Sequence, residues 1–169
     1  MPSSTKERSE LQPMHLVTPT EYRQFLALHH SVPIENVEVD LVPHWKIERL
    51  QPSEFAPEEW TVWSFPDRGD WATHVGNYRG NWSPYIPRNL ILKYTSPGDT
   101  VCDPMAGSGT TLVECKLLER TAIGVDVNPD AAMVTMNRTD FRVEPLGQGN
   151  SEPEAKVVAV HPVERIAEG

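Results

Sequence analysis

The sequence predicts an α/β fold in which a parallel, doubly wound sheet follows an irregular N-terminal extension, and three observations carry that prediction. Two short apolar runs, Thr100-Val101-Cys102 and Ala122 to Val127, have the length and composition of buried strands. Between them lie a glycine loop, Gly107-Ser108-Gly109, and a helical pattern from Thr110 to Arg120 that buries Leu112, Val113, Leu117 and Leu118. Asn128-Pro129 then opens another helix that runs to about Arg138, with Asn as the cap and Pro in the first position. Strand, glycine loop, helix, strand and capped helix in that order form a right-handed βαβ unit of a parallel sheet.

The remaining elements are arranged around this unit. A chain of 169 residues with 38% hydrophobic content suits one core. Residues 1–59 read as an N-terminal extension, 60–145 as the core, and 146–169 as a linker with one further strand at Val157 to Val160. In the extension, a short helix is expected from Thr20, with a Thr cap and with Tyr22, Phe25, Leu26 and Leu28 on its apolar side, ending before Pro33. One or two short strands or turns are expected between Val32 and Trp60. From Trp60 to Tyr85 the character changes abruptly, because Trp60, Trp63, Trp71, Trp82, Tyr78, Arg68 and Arg79 crowd into one stretch. Ile86, Leu90, Ile91 and Tyr94 then recur at helical spacing, and Pro97-Gly98-Asp99 stops that helix with a turn.

Composition narrows the functional classes. No run approaches the roughly 18 apolar residues of a membrane span, so a soluble, cytoplasmic protein without membrane contact is expected. The two cysteines, Cys102 and Cys115, are read as small buried apolar residues and not as a disulfide or a metal site. His29 and His30 are adjacent, so on a helix they diverge and cannot hold a metal together; no metal is expected. The net charge of −9 has the wrong sign for a broad grip on phosphates. Much of the acid, however, sits outside the middle of the chain, where Arg68, Arg79, Arg88 and Lys93 are available.

The glycine loop sits where a nucleotide-like cofactor binds, and its spacing discriminates among them. A phosphate-binding P-loop needs Gly-Lys-Ser/Thr, but Thr110 follows Gly109 here. The dinucleotide fingerprint places a third glycine where this chain has Leu112. S-adenosyl-L-methionine has no pyrophosphate and asks for groups that meet an ammonium, a carboxylate and two ribose hydroxyls. Asp103, ending the first strand, is placed for the ammonium. Backbone N–H groups around Ser108 to Thr110 suit the carboxylate, and Asp126, ending the second strand, suits the ribose. The alternative is that the glycines only make a tight turn and the two aspartates only cap loops.

The run Asp103-Pro104-Met105-Ala106-Gly107-Ser108-Gly109-Thr110-Thr111 resembles the cofactor motif of the N4-cytosine and N6-adenine DNA methyltransferases, usually Asp-Pro-Phe-x-Gly-Ser-Gly-Thr-Thr. Leu118-Glu119-Arg120 and the strand Ile123-Gly124-Val125-Asp126 look like that family's continuation. Asn81 to Ile91 occupies the place of its other, proline-containing cofactor segment. The resemblance covers roughly residues 62–133. It implies a Rossmann-like methyltransferase fold that binds S-adenosyl-L-methionine through Asp103, Pro104, Met105, Ala106, Gly107, Ser108, Gly109, Thr110, Asp126 and Val127. It also implies that Trp82, Ser83 and Pro87 lie near the methionine moiety. Core packing is the competing role for Trp63, Trp71 and Trp82.

One departure from the family pattern bears on activity. The family holds the target amine with Asp, Asn or Ser followed by Pro-Pro-Tyr or Pro-Pro-Phe, whose ring stacks on the flipped base. No such tetrapeptide occurs here, and Ser83-Pro84-Tyr85 is one proline short of it. The family's catalytic element follows the cofactor motif at the end of a fourth strand, so the fold is expected to be incomplete at its C-terminus. DNA is then the expected substrate, with transfer depending on a second polypeptide that supplies the catalytic strand and target recognition, or else the chain is a truncated product. Two other readings stay open: methylation of RNA or a small molecule, and a non-catalytic cofactor-binding module.

Overall fold

The computed structural model describes residues 14–142 and 155–160. Its sheet has the order β1-β6-β5-β4, formed by Met14–Leu16 (β1), Thr100–Asp103 (β4), Thr121–Asp126 (β5) and Ala155–Val160 (β6). β4, β5 and β6 run parallel, with Cys102 opposite Ile123 and Gly124 opposite Val157, while β1 pairs antiparallel with β6. A separate hairpin joins Ser31–Ile34 (β2) to Val37–Asp40 (β3). The helices are Pro19–Leu28 (α1), Tyr85–Tyr94 (α2), Thr110–Leu117 (α3) and Pro129–Thr139 (α4). The α/β class with a parallel sheet is as the sequence predicts. Among the described residues no helix is long and apolar enough to cross a membrane.

Helix α3 is the centre of the molecule. Seven of its eight residues are buried, all but Lys116, the pattern of a helix covered on every side. Leu112 and Cys115 face the sheet in a core with Ala122, Ala132, Ile91 and Val157. On its other side Val113 and Leu117 join Trp71 and Phe141. The close approach of α3 to the sheet depends on Gly124, where a Cβ would lie 2.7 Å from Leu112 Cδ2. The small residue of this helix–strand contact is therefore on the strand, and Leu112 fills the place where the dinucleotide fingerprint has its third glycine.

Local boundaries differ from the sequence reading in ways the hydrogen bonds explain. α1 begins at Pro19, and its cap is Thr18, not a residue at the Thr20 start. Thr18 and Glu21 form a reciprocal capping box, with Pro19 in the first turn. α3 stops at Leu117, short of Arg120, because Glu119 takes a left-handed φ of 63°. Arg120 N–H then bonds back to Cys115 O at 2.8 Å, which closes a Schellman motif without its customary glycine. Asn128 caps α4 as expected, its side chain accepting from Asp130 N–H at 3.0 Å. The expectation that both cysteines are buried is corrected for one of them: Cys115 is buried, but Cys102 is exposed. Cys102 lies on the edge strand β4 in register with Ile123, on the opposite face from Ala122 and Gly124, which meet the helices.

Segments before residue 60 are tied into this core. Val17 and Tyr22 join the sheet-facing cluster, and Val32, Ile34, Val39 and Leu41 pack with Ala131 and Val134 of α4. Asn137, fully buried on α4, accepts from Val42 N–H at 3.0 Å and donates to both Val42 O and Tyr22 Oη at 2.9 Å. That side chain ties α4 to α1 and to the segment after β3.

Candidate cofactor cleft

The loop after β4 is held through its own backbone groups, by main-chain partners and by the side chains of Asp103, Asp126 and Thr135. Asp103 Oδ1 accepts from Met105 N–H at 3.0 Å, which turns the chain off the strand. Ala106 N–H then bonds to Val125 O at 2.9 Å, and Gly109 N–H to Ala106 O at 2.8 Å. Gly107 and Gly109 have φ of 54° and 79°, a region costly for any other residue. At Gly109 a Cβ would also lie 2.8 Å from Thr135 Cγ2, while Thr135 Oγ1 donates to Gly107 O at 2.9 Å. Helix α4 is thereby fastened under the loop. The N–H groups of Ser108 and Thr110 make no hydrogen bond among the described residues, and they lie at the positive end of α3.

These residues form one wall of a cleft of about 330 Å³. Asp103, Met105, Ala106, Gly107, Ser108 and Thr110 line it on the loop side, and Tyr78, Gly80, Asn81 and Trp82 line it on the other. Of the sequence-predicted residues, Pro104, Gly109, Asp126 and Val127 are off the wall. Asp126 instead supports the loop from behind: its Oδ2 accepts from Gly107 N–H at 2.7 Å and its Oδ1 from Asn128 N–H at 2.9 Å. Each oxygen keeps a further lone pair. Val127 is exposed beside it. A larger, open hollow of about 1210 Å³ lies at the C-terminal end of α4, lined by Tyr22, Trp45 and Phe141, and contains none of the loop.

The second wall depends on side chains. Tyr78 covers Gly107, where a Cβ would lie 3.4 Å from its ring, and burial raises its phenol pKa. Arg68 donates to Trp82 O at 2.5 Å and to Val75 O at 3.4 Å, while Ser83 Oγ donates to Arg68 O at 2.8 Å. Arg138, buried, donates to Asn77 Oδ1 at 2.7 Å. Loss of solvent first, and the charge of Arg68 second, bring the Arg138 pKa down to about 10.

The tryptophans divide between the competing roles. Trp82 lines the cleft and is 44% exposed. Trp71 is a core residue whose Nε1–H donates to Glu114 Oε1 at 2.7 Å. Trp63 is half-buried and bonds to Trp60 O. The Tyr85 ring stacks on Phe65 with Phe55 behind it, its centroid 4.8 Å from that of Trp71, and Pro84 caps α2. Ser83, Pro84 and Tyr85 do not line the cleft.

Sequence reasoning missed Glu114, which is wholly buried on α3 and gathers Trp71, His74 and Arg88. Arg88 pairs with its Oε2 at 2.8 Å, and His74 Nε2 meets Oε1 at 2.7 Å. Burial lowers the His74 pKa against the pull of Glu114, so the ring is neutral and donates through Nε2. No short motif could have shown this, since four residues from three segments make one site. The only cue was an acid inside an otherwise apolar helix pattern.

The comparisons with known proteins agree with the loop. The family model for DNA methylases of the N6/N4 class matches residues 7–137, and the chain belongs to this family. The match reaches well upstream of 62–133, in keeping with the packing of the N-terminal elements onto α4. The chain is 33% identical over 78 residues to the type II methyltransferase M.Cfr9I of Citrobacter freundii, a stretch that is 46% of the chain and 25% of that protein. With the type II methyltransferase M.HpaI of Haemophilus parainfluenzae it shares 33% identity over 86 residues, 47% of the chain and 25% of the relative. With M.EcaI of Enterobacter cloacae the identity is 43% over 58 residues, 34% and 13% of the two. The matched region thus spans a quarter or less of each of these relatives.

Proposed function

We propose that this chain carries the S-adenosyl-L-methionine site of a DNA methyltransferase that methylates N4 of cytosine or N6 of adenine. The observation that carries the reading is the cleft itself: an acceptor carboxylate, Asp103, lines it together with Ser108 and Thr110, whose N–H groups make no hydrogen bond among the described residues, on a loop shaped by two left-handed glycines. The chemistry of this donor set fits an amino-acid tail, and the cleft volume is at the low end for ligand sites. Asp103 would meet the ammonium, and Ser108 and Thr110 N–H the carboxylate. Gly107 and Gly109 let the backbone come close, with Pro104, Met105 and Ala106 completing the turn. Asp126, already holding Gly107 and Asn128, has lone pairs left for ribose hydroxyls, with Val127 beside it. When bound, the cofactor supplies an electrophilic methyl group.

DNA is the proposed substrate, and the amine-holding element, whose tetrapeptide these 169 residues do not contain, is proposed to be supplied from outside them, by a second polypeptide or by the part that a truncated product lacks. Ser83-Pro84-Tyr85 receives no catalytic part, because the Tyr85 ring is enclosed by Phe55, Phe65 and Trp71. A partner with basic character would offset the charge of −9 where DNA is gripped. Calorimetric titration of Asp126→Ala tests the site: loss of its charged hydrogen bonds should weaken S-adenosyl-L-methionine binding by about 1–3 kcal/mol in a protein that still folds. Affinity equal to that of the unaltered chain would remove Asp126 from the site.

A further inference from the structure

Asn81 bridges the two walls, and its hydrogen bonds determine what Thr110 can offer a ligand. Its Nδ2 donates to Val75 O at 3.0 Å. A main-chain carbonyl can only accept, so this contact fixes which end of the amide is nitrogen. The Oδ1 end therefore faces Thr110 Oγ1, 2.9 Å away, and an amide oxygen can only accept. The single hydroxyl proton of Thr110 is thus committed to Asn81, and the hydroxyl oxygen retains lone pairs alone. Val75 O is itself held by Arg68, and Asn81 N–H bonds to Tyr78 O at 3.3 Å, so the amide has little freedom to turn.

Thr110 lines the same cleft as Asp103. With its proton committed, Thr110 joins Asp103 as a second acceptor. At the hydroxyl of Thr110 that combination favours a cationic nitrogen, while the Thr110 N–H stays available to the carboxylate of the same amino-acid tail. We infer that Asn81 is a positioning residue: acting through Thr110, it sets the cleft to recognise the ammonium group of the cofactor's amino-acid tail. The inference rests on the proposed S-adenosyl-L-methionine site and adds the determinant of its selectivity for the amine.

The test compares two ligands that differ only at the amine, S-adenosylhomocysteine and its des-amino analogue, titrated into the unaltered chain, Asn81→Ala, Thr110→Val and the double variant. Asn81→Ala should weaken S-adenosylhomocysteine by about tenfold and the des-amino analogue by less than about twofold. Thr110→Val should do the same, and the double variant should be no worse than either single one. Should Asn81→Ala fail to fold, Thr110→Val set against Thr110→Ser, which keeps the hydroxyl, reads the same selectivity. Equal losses for both ligands, or additive losses in the double variant, would overturn the role of Asn81 while leaving the cofactor site standing. Failure of the unaltered chain to bind S-adenosylhomocysteine or S-adenosyl-L-methionine would overturn both.

Discussion

The two walls of the cleft are built by different physics. The loop from Asp103 to Thr110 takes its shape from two left-handed glycines, and its backbone groups are held by main-chain partners and by Asp103, Asp126 and Thr135. The opposite wall, from Tyr78 to Trp82, stays in place because Arg68 and Asn81 tie it down and Arg138 holds the neighbouring Asn77. The left-handed turns of the loop wall are encoded locally, in a few adjacent residues. A wall made by side-chain contacts is encoded across the chain, and its failure should be a failure of stability before it is a failure of recognition.

Two substitutions sharpen the contrast between local backbone shape and long-range side-chain contacts, and the larger effect belongs to the buried side-chain group around Glu114. Glu114→Ala leaves the Arg88 charge buried without its carboxylate and removes the acceptor of Trp71 and His74. A loss of about 3–5 kcal/mol in unfolding free energy is expected, measured by thermal or denaturant unfolding. Gly109→Ala forces a side chain into a left-handed position and against Thr135. It should cost about 1–3 kcal/mol in stability. Its effect on S-adenosyl-L-methionine affinity should nevertheless exceed that of Glu114→Ala measured on the protein that remains folded. The reverse ranking, with Gly109→Ala the more destabilising and Glu114→Ala the more damaging to affinity, would break the distinction between the glycine loop and the buried side-chain group.

How much of this was legible in the sequence follows the same division. The βαβ unit, the Asn128 cap of α4 and the glycine loop could be read because each depends on residues adjacent in the chain. The loop carried the family resemblance for the same reason. Glu119 ending α3 escaped notice because the stop uses a residue that is no customary stop signal. Cys102 was misread because its apolar run does not reveal that β4 is an edge strand. Glu114, Asn81 and the Arg68 clamp were out of reach, since their side-chain partners lie between 6 and 43 residues away in the chain. For Asp126 the sequence placed the carboxylate correctly at the end of β5 but did not show that Gly107 and Asn128 already bond to it.

The most direct test of the central claim is calorimetric titration of the unaltered chain with S-adenosyl-L-methionine, with NAD titrated in parallel. Saturable binding of S-adenosyl-L-methionine and none of NAD is the expected result, because the cleft offers acceptors to an ammonium and Leu112 stands where a dinucleotide site needs glycine. Folded protein that binds neither ligand, or binds NAD as well as S-adenosyl-L-methionine, would contradict it.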